Sequence, residues 1–306
     1  MEFLSLIVII LGLALFESIV SIDNAIINAE VLRTMEARAR RWFLIWGLLF
    51  AVFIVRGVLP WLIVWLSVPQ IGFFEAFTAT FRSDKEVITA IERAAPMMLM
   101  GGGTFMVFLF FHWLFMEPKN YGLPGERFFH AKSIWFYAVI SILLAGIVWF
   151  ALKEGPLIAF GAVVGSTIFF ITHGFKQNAE AEEARLLKKG RSDISKILYL
   201  EAIDATFSID GVLGAFAFTL SVPLILLGNG IGAIVLRQLT ISNIDRIKKY
   251  LYLKNGAMYS VLFLGSIMVA EGFGYHVPVW LSPSVTVFVV GYFFLKSKYA
   301  LVATSL

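Results

Sequence analysis

Carboxylates set inside apolar helices are the residues of this chain whose presence demands a chemical reason. Residues 15–26 read L-F-E-S-I-V-S-I-D-N-A-I, and residues 202–213 read A-I-D-A-T-F-S-I-D-G-V-L. A shift of 187 positions lays Glu17 on Asp204, Ser21 on Ser208, Asp23 on Asp210 and Asn24 on Gly211. A charged side chain at the centre of a membrane helix costs about 2.5–3.5 kcal/mol on insertion scales, so such residues mark function by default. At about 100° per residue, Glu17, Ser21, Asn24 and Asn28 share one face of the first helix, and Glu201, Asp204, Ser208 and Gly211 share one face of the second. Asp23 and Asp210 fall off those faces. Either a neighbouring helix supplies their partners, or the backbone is irregular near Ser21 and Ser208, which membranes tolerate only where a cavity is lined.

If the two copies meet, Glu17, Asp23, Glu201, Asp204 and Asp210 converge, with Asn24, Asn28, Ser21, Thr206 and Ser208 adding neutral oxygens. Carboxylates so close cannot all ionise unpaired; protons, a cation, or Arg56 and Arg237 must balance them. Five carboxylates against two arginines leave a surplus that structural ion pairing does not absorb. The chain has no cysteine, so only oxygen and imidazole are available as ligands. That donor set suits Mn²⁺, Ca²⁺ or Mg²⁺ as a transported substrate, with no prosthetic group implied.

The elements that must position these residues follow from composition. Hydrophobic residues make up 59% of the 306 and charged residues 15%, with a mean hydropathy of +0.84, which excludes an ordinary soluble domain. Apolar runs of the length needed to cross about 30 Å of hydrocarbon, about 20 residues each, predict an all-α polytopic membrane protein. Nine spans are predicted, at about 3–32, 42–68, 96–116, 133–152, 156–175, 195–220, 222–242, 251–270 and 277–296. They form a single transmembrane domain over 1–306. Its first repeat is about 1–116 and its second about 195–306, linked by helices at about 133–175 and a cytoplasmic loop 176–196. A second likeness, G-L-L-F-A-V-F-I-V-R at 47–56 with G-N-G-I-G-A-I-V-L-R at 228–237, sets Arg56 opposite Arg237. The first and sixth spans would cross in opposite directions, so the repeat is inverted, a transporter pattern.

Charge sets the orientation. Alternate loops carry +3 (Arg33, Arg38, Arg40, Arg41 against Glu36), +1, +2 and +3, while the others are neutral or acidic. The positive-inside rule then places the N-terminus outside and the C-terminus in the cytoplasm of a prokaryotic inner membrane. Basic excess of this kind belongs to membrane topology, so nucleic acid is set aside as a partner. The bilayer, a metal ion and protons remain, with homo-oligomerisation left open. The first apolar run lacks a basic leader and is read as a retained span.

Other features read as structure. The mixed-charge loop 176–196 predicts a solvated helix, and 69–95, with Phe73, Phe74, Phe77 and Phe81, an amphipathic segment at the outer surface. His112 and His173 fall near helix ends and His130 and His276 in loops; Gly101–Gly103 suits close helix packing.

The stretch F-E-S-I-V-S-I-D-N-A-I, paired with E-A-I-D-A-T-F-S-I-D-G-V, resembles the TerC family of membrane proteins. The resemblance implies a LysE-like transporter fold with inverted repeats and export of Mn²⁺. It implies a metal site on Glu17, Asp23 and Asn24 in one copy and on Glu201, Asp204 and Asp210 in the other. Gly211 departs from the pattern by removing a side-chain ligand. Three readings follow. A proton-coupled carrier of a divalent cation, not an enzyme, leads. A metal-sensing or assembly partner and an intramembrane aspartyl protease are the alternatives, the last opposed by the lack of a Gly-x-Gly-Asp motif around either aspartate.

Overall fold

A computed structural model describes residues 2–47, 49–50, 56–67, 72–74, 85–186, 192–247 and 249–304. Among these the chain is helical and contains no strand. The helices are α1 (Glu2–Val20), α2 (Ile22–Arg33), α3 (Ala37–Trp42), α4 (Arg56–Ser67), α5 (Lys85–Met116), α6 (Pro124–His130), α7 (Phe136–Glu154), α8 (Pro156–Leu186), α9 (Asp193–Ala215), α10 (Val222–Ile247), α11 (Leu253–Gly272) and α12 (Leu281–Thr304).

Several of these helices are apolar and long enough to mark a membrane-embedded protein. Five qualify as spans among the described residues: 92–116, 133–154, 156–175, 253–272 and 281–302, with a sixth if α1 and α2 are one bent span. The expected nine are not reached, for local reasons. The segment predicted as a span at 42–68 is divided into the end of α3, a π turn at Phe43–Gly47 and α4, with 51–55 outside the described residues. The helix α9 carries Glu201, Asp204 and Asp210 within one stretch, and the apolar part of α10, Val222–Leu236, is shorter than the roughly 20 residues a span needs. Two helices outrun their expected ends: α5 continues back through Pro96 to Lys85, and α8 forward to Leu186. The side chains at 176–191, like Phe77 and Phe81, lie outside the described residues.

The core forms where small residues let helices touch. A Cβ at Gly165 of α8 would overlap the Gly101 carbonyl of α5, and one at Gly103 would lie 2.8 Å from the Gly265 carbonyl of α11. The predicted close packing of Gly101–Gly103 is therefore realised on two sides of α5, where backbones meet directly. Around this contact sit the buried side chains of Phe105, Met106, Phe108, Trp113, Phe169 and Met268.

Beyond α5, a turn is fastened by a buried carboxylate. Glu126, 1% exposed, accepts from the Gly122 N–H at 2.7 Å, the Leu123 N–H at 3.1 Å and Asn255 Nδ2 at 2.9 Å. This ties the loop before α6 to α11.

Candidate functional site

Both acidic stretches lie on one antiparallel helix pair. Going up the first and down the second, the Glu36 N–H reaches Asp193, Lys196 reaches the Thr34 carbonyl, Asn28 reaches Asp204, and Glu17 faces Gly211. The α1–α2 unit and α9 thus run in opposite directions.

The two copies differ in their backbone. Between α1 and α2 the axis bends by 57° at Ser21, between Glu17 and Asp23. Hydroxyls crowd this bend: Ser18 Oγ donates to the Ala14 carbonyl at 2.6 Å and Ser21 Oγ to Glu17 Oε1 at 2.8 Å. At Ser208, where irregularity was equally expected, α9 runs on unbroken to Ala215, and Ser208 Oγ donates to the Asp204 carbonyl at 2.6 Å.

Glu17 is fully buried. Its Oε1 accepts from Arg56 Nη2 at 2.6 Å, Arg56 Nε at 3.1 Å and Ser21, while its Oε2 is buried and takes no hydrogen bond. Two glycines make its room. A Cβ at Gly211 of α9 would overlap Oε2, and one at Gly232 of α10 would lie 2.7 Å from the Glu17 Cβ. The glycine in place of a ligand in the second copy is what admits the glutamate of the first.

Asp204 is the second station. It is 7% exposed, and its Oδ1 accepts from Asn24 Nδ2 and, at 3.0 Å, from Asn28 Nδ2. The amide oxygens of Asn24 and Asn28 are buried and take no hydrogen bond. Asp210 is buried beside Gly211. Glu201, half-buried, packs where a Cβ at Gly47 would overlap its Oε1.

The carboxylates form a file rather than the expected cluster. Gly211, which faces Glu17, lies seven residues beyond Asp204 on α9, about 10 Å at 1.5 Å per residue, and Glu201 lies about 5 Å further along the same helix. Among the described residues no three His, Asp or Glu side chains stand close enough together to hold a metal ion. The side chains of Asp23 and Arg237 lie outside the described residues.

Two polar features were not legible in the motifs. Asn229 of α10 is fully buried with neither amide atom hydrogen-bonded. His112 and His173, read separately from the sequence, lie ring against ring with centroids 3.9 Å apart. His112 Nδ1 stands 3.6 Å from Glu117 Oε1, and Lys254 Nζ 2.6 Å from Glu117 Oε2. Burial alone would raise the Glu117 pKa. His112 and Lys254 outweigh it and hold the carboxyl well below the usual range.

A family model described as "Protein of unknown function (DUF475)" matches residues 22–301. No curated protein and no solved structure matches the chain. The TerC resemblance, carried by the two acidic motifs and taken to cover most of the membrane region, is corrected by this match, which runs along nearly the whole chain and leads to a different family.

Proposed function

The chain belongs to the DUF475 family, and we propose that it is a membrane carrier for a hard divalent cation exchanged against protons. The observation that carries this reading is the bend between Glu17 and Asp23, which faces an antiparallel acidic helix. Broken helices beside carboxylates are how membrane proteins expose backbone carbonyls and charge to an ion within the bilayer. The antiparallel crossing of the motifs also supports the inverted repeat and, with the loop charges, an N-terminus outside.

In this reading the ion moves along the file. Glu17 offers Oε2, Asp204 and Asp210 offer carboxylates along α9, Asn24 offers its unbonded amide oxygen, and Glu201 ends the row; Asp23 joins by its place in the motif. Arg56 holds the other oxygen of Glu17, balancing its charge while no cation is bound. Ligand deprotonation on binding supplies the counter-movement of protons. All the donors are oxygens, which favours Mn²⁺, Ca²⁺ or Mg²⁺. The preference for Mn²⁺ and for export came from the TerC resemblance and falls with it.

The test is flux into liposomes containing only this protein, with Mn²⁺ and Ca²⁺ followed alongside lumenal pH. Wild type is expected to move at least one ion with opposite proton flow, and Glu17→Gln and Asp204→Asn to abolish both. Folded protein that moves neither ion under any gradient overturns the proposal and leaves the carboxylates to a sensing or assembly role.

A further inference from the structure

Asn229 sits where the ion path would leave Glu17. On α10, Gly228 packs against Leu13 and Gly232 against Ala14 and Glu17, both of α1, while Leu226 abuts Gly57 of α4, 3.6 Å from where its Cβ would be. At about 100° per residue, Asn229 lies about 60° from Gly232 and about 60° from Leu226 around the helix axis. It therefore faces the wedge between α1 and α4, which Arg56, the first residue of α4, crosses to reach Glu17. Asn229 is fully buried, and neither its oxygen nor its nitrogen has a hydrogen-bond partner.

Such an amide is costly unless something satisfies it. A buried polar group without a partner is disfavoured, and native structures leave few of them. The helices α1 and α10 run parallel, Gly228 to Leu13 and Gly232 to Glu17, so Asn229 is one step from Glu17 toward the end where α1 begins. At that end a cavity of about 430 Å³ opens, lined by Ile9, Phe216, Leu220, Glu271, His276 and Ser282. Phe218 of this lining packs against Phe16, the neighbour of Glu17 in α1, with ring centroids 5.7 Å apart.

We propose that Asn229 is a further ligand of the divalent cation, an amide-oxygen station between the Glu17 carboxylate and the cavity at the α1 end of the bundle. The inference rests on the carrier reading. The unbonded amide turns its oxygen to the ion and its NH₂ to the ion's remaining water. A neutral oxygen suits this place, because a further carboxylate beside Glu17 would hold the ion too tightly to release it.

Thermal unfolding of the purified full chain in detergent, titrated with Mn²⁺ and separately with Ca²⁺, tests this alongside the flux assay. The wild type is expected to be stabilised by at least one ion. Asn229→Leu, similar in volume, is expected to unfold at the wild-type temperature or above without ion, since it removes an unsatisfied amide. Its apparent ion affinity should fall at least tenfold. Asn229→Asp is expected to bind at least tenfold more tightly and to lose that gain as the pH falls. If Asn229→Leu responds to the ion as the wild type does, Asn229 holds only a structural water and the inference is overturned. If Asn229→Leu does not fold, Asn229→Asp decides alone: affinity unchanged from wild type overturns the inference. A wild type that neither binds nor moves either ion sinks the carrier reading, and this one with it.

Discussion

Glu126 and Glu17 are both buried carboxylates in a membrane protein, and they are served in opposite ways. Around Glu126 the donors are spread: Asn255 and Gly122 take Oε2 and Leu123 takes Oε1, so the carboxylate is saturated and a loop is fastened. Around Glu17 every donor converges on Oε1, and Oε2 is left in a space that Gly211 keeps open. A carboxylate that holds structure uses both oxygens. One that keeps an oxygen back is positioned to receive something, and this contrast separates the two roles better than burial does.

The contrast can be broken in graded ways. The largest effect is expected at Glu17→Gln, which leaves the Arg56 guanidinium buried without its counter-charge. Breaking such a pair costs about 3–5 kcal/mol, and adding Arg56→Gln should recover at least half, read as a double-mutant cycle on unfolding in detergent. Glu126→Ala should cost about 3 kcal/mol, because it orphans the buried Gly122 N–H and removes one of the two acceptors of Asn255 Nδ2, yet leave the response to added cation intact. Loss of that response in folded Glu126→Ala protein would erase the distinction between the two sites. Asn28→Ala removes one donor from Asp204 and should cost about 1 kcal/mol, with Asn24→Ala further weakening cation binding.

The smallest effects concern pH, at the other polar cluster. The folded pKa of Glu117 lies below its unfolded value, so its contribution to stability is present above about pH 4.5 and is lost as the pH falls below that. Lys254→Met should flatten this acid limb. Lys119 is pushed down to about 8 by burial, against the pull of Glu117 and Glu126. Between about pH 8 and 10.5 the unfolded chain binds more protons at this lysine, so stability should rise with pH there, and Lys119→Met should remove the rise.

How much of this was legible depends on the range of each interaction. The shared face of Asn24 and Asn28 follows from helical period, and it reappears in their contacts to Asp204. That the carboxylates string out rather than cluster depends on which residue of α9 lies opposite Glu17, a register that packing at Gly211 sets and periodicity does not encode. The bond from Asn255 to Glu126 spans 129 positions, and no local pattern announces it. Asn229 left a fainter trace, a lone amide in the run G-N-G-I-G, which reads as glycine-rich packing until its neighbours are known. The span count failed at α9 because its carboxylates disqualify it as an apolar span.

The glycine contacts of α5 bear on how such a molecule could work as a machine. With the Gly101 and Gly103 backbones pressed on the Gly161 and Gly265 carbonyls of α8 and α11, one helix cannot slide along another there without backbone collision. In the carrier proposed above these three helices would form the stator. A stroke that opened the acidic file would then be delivered by the parts that lie outside it, with the 57° elbow at Ser21 as its joint.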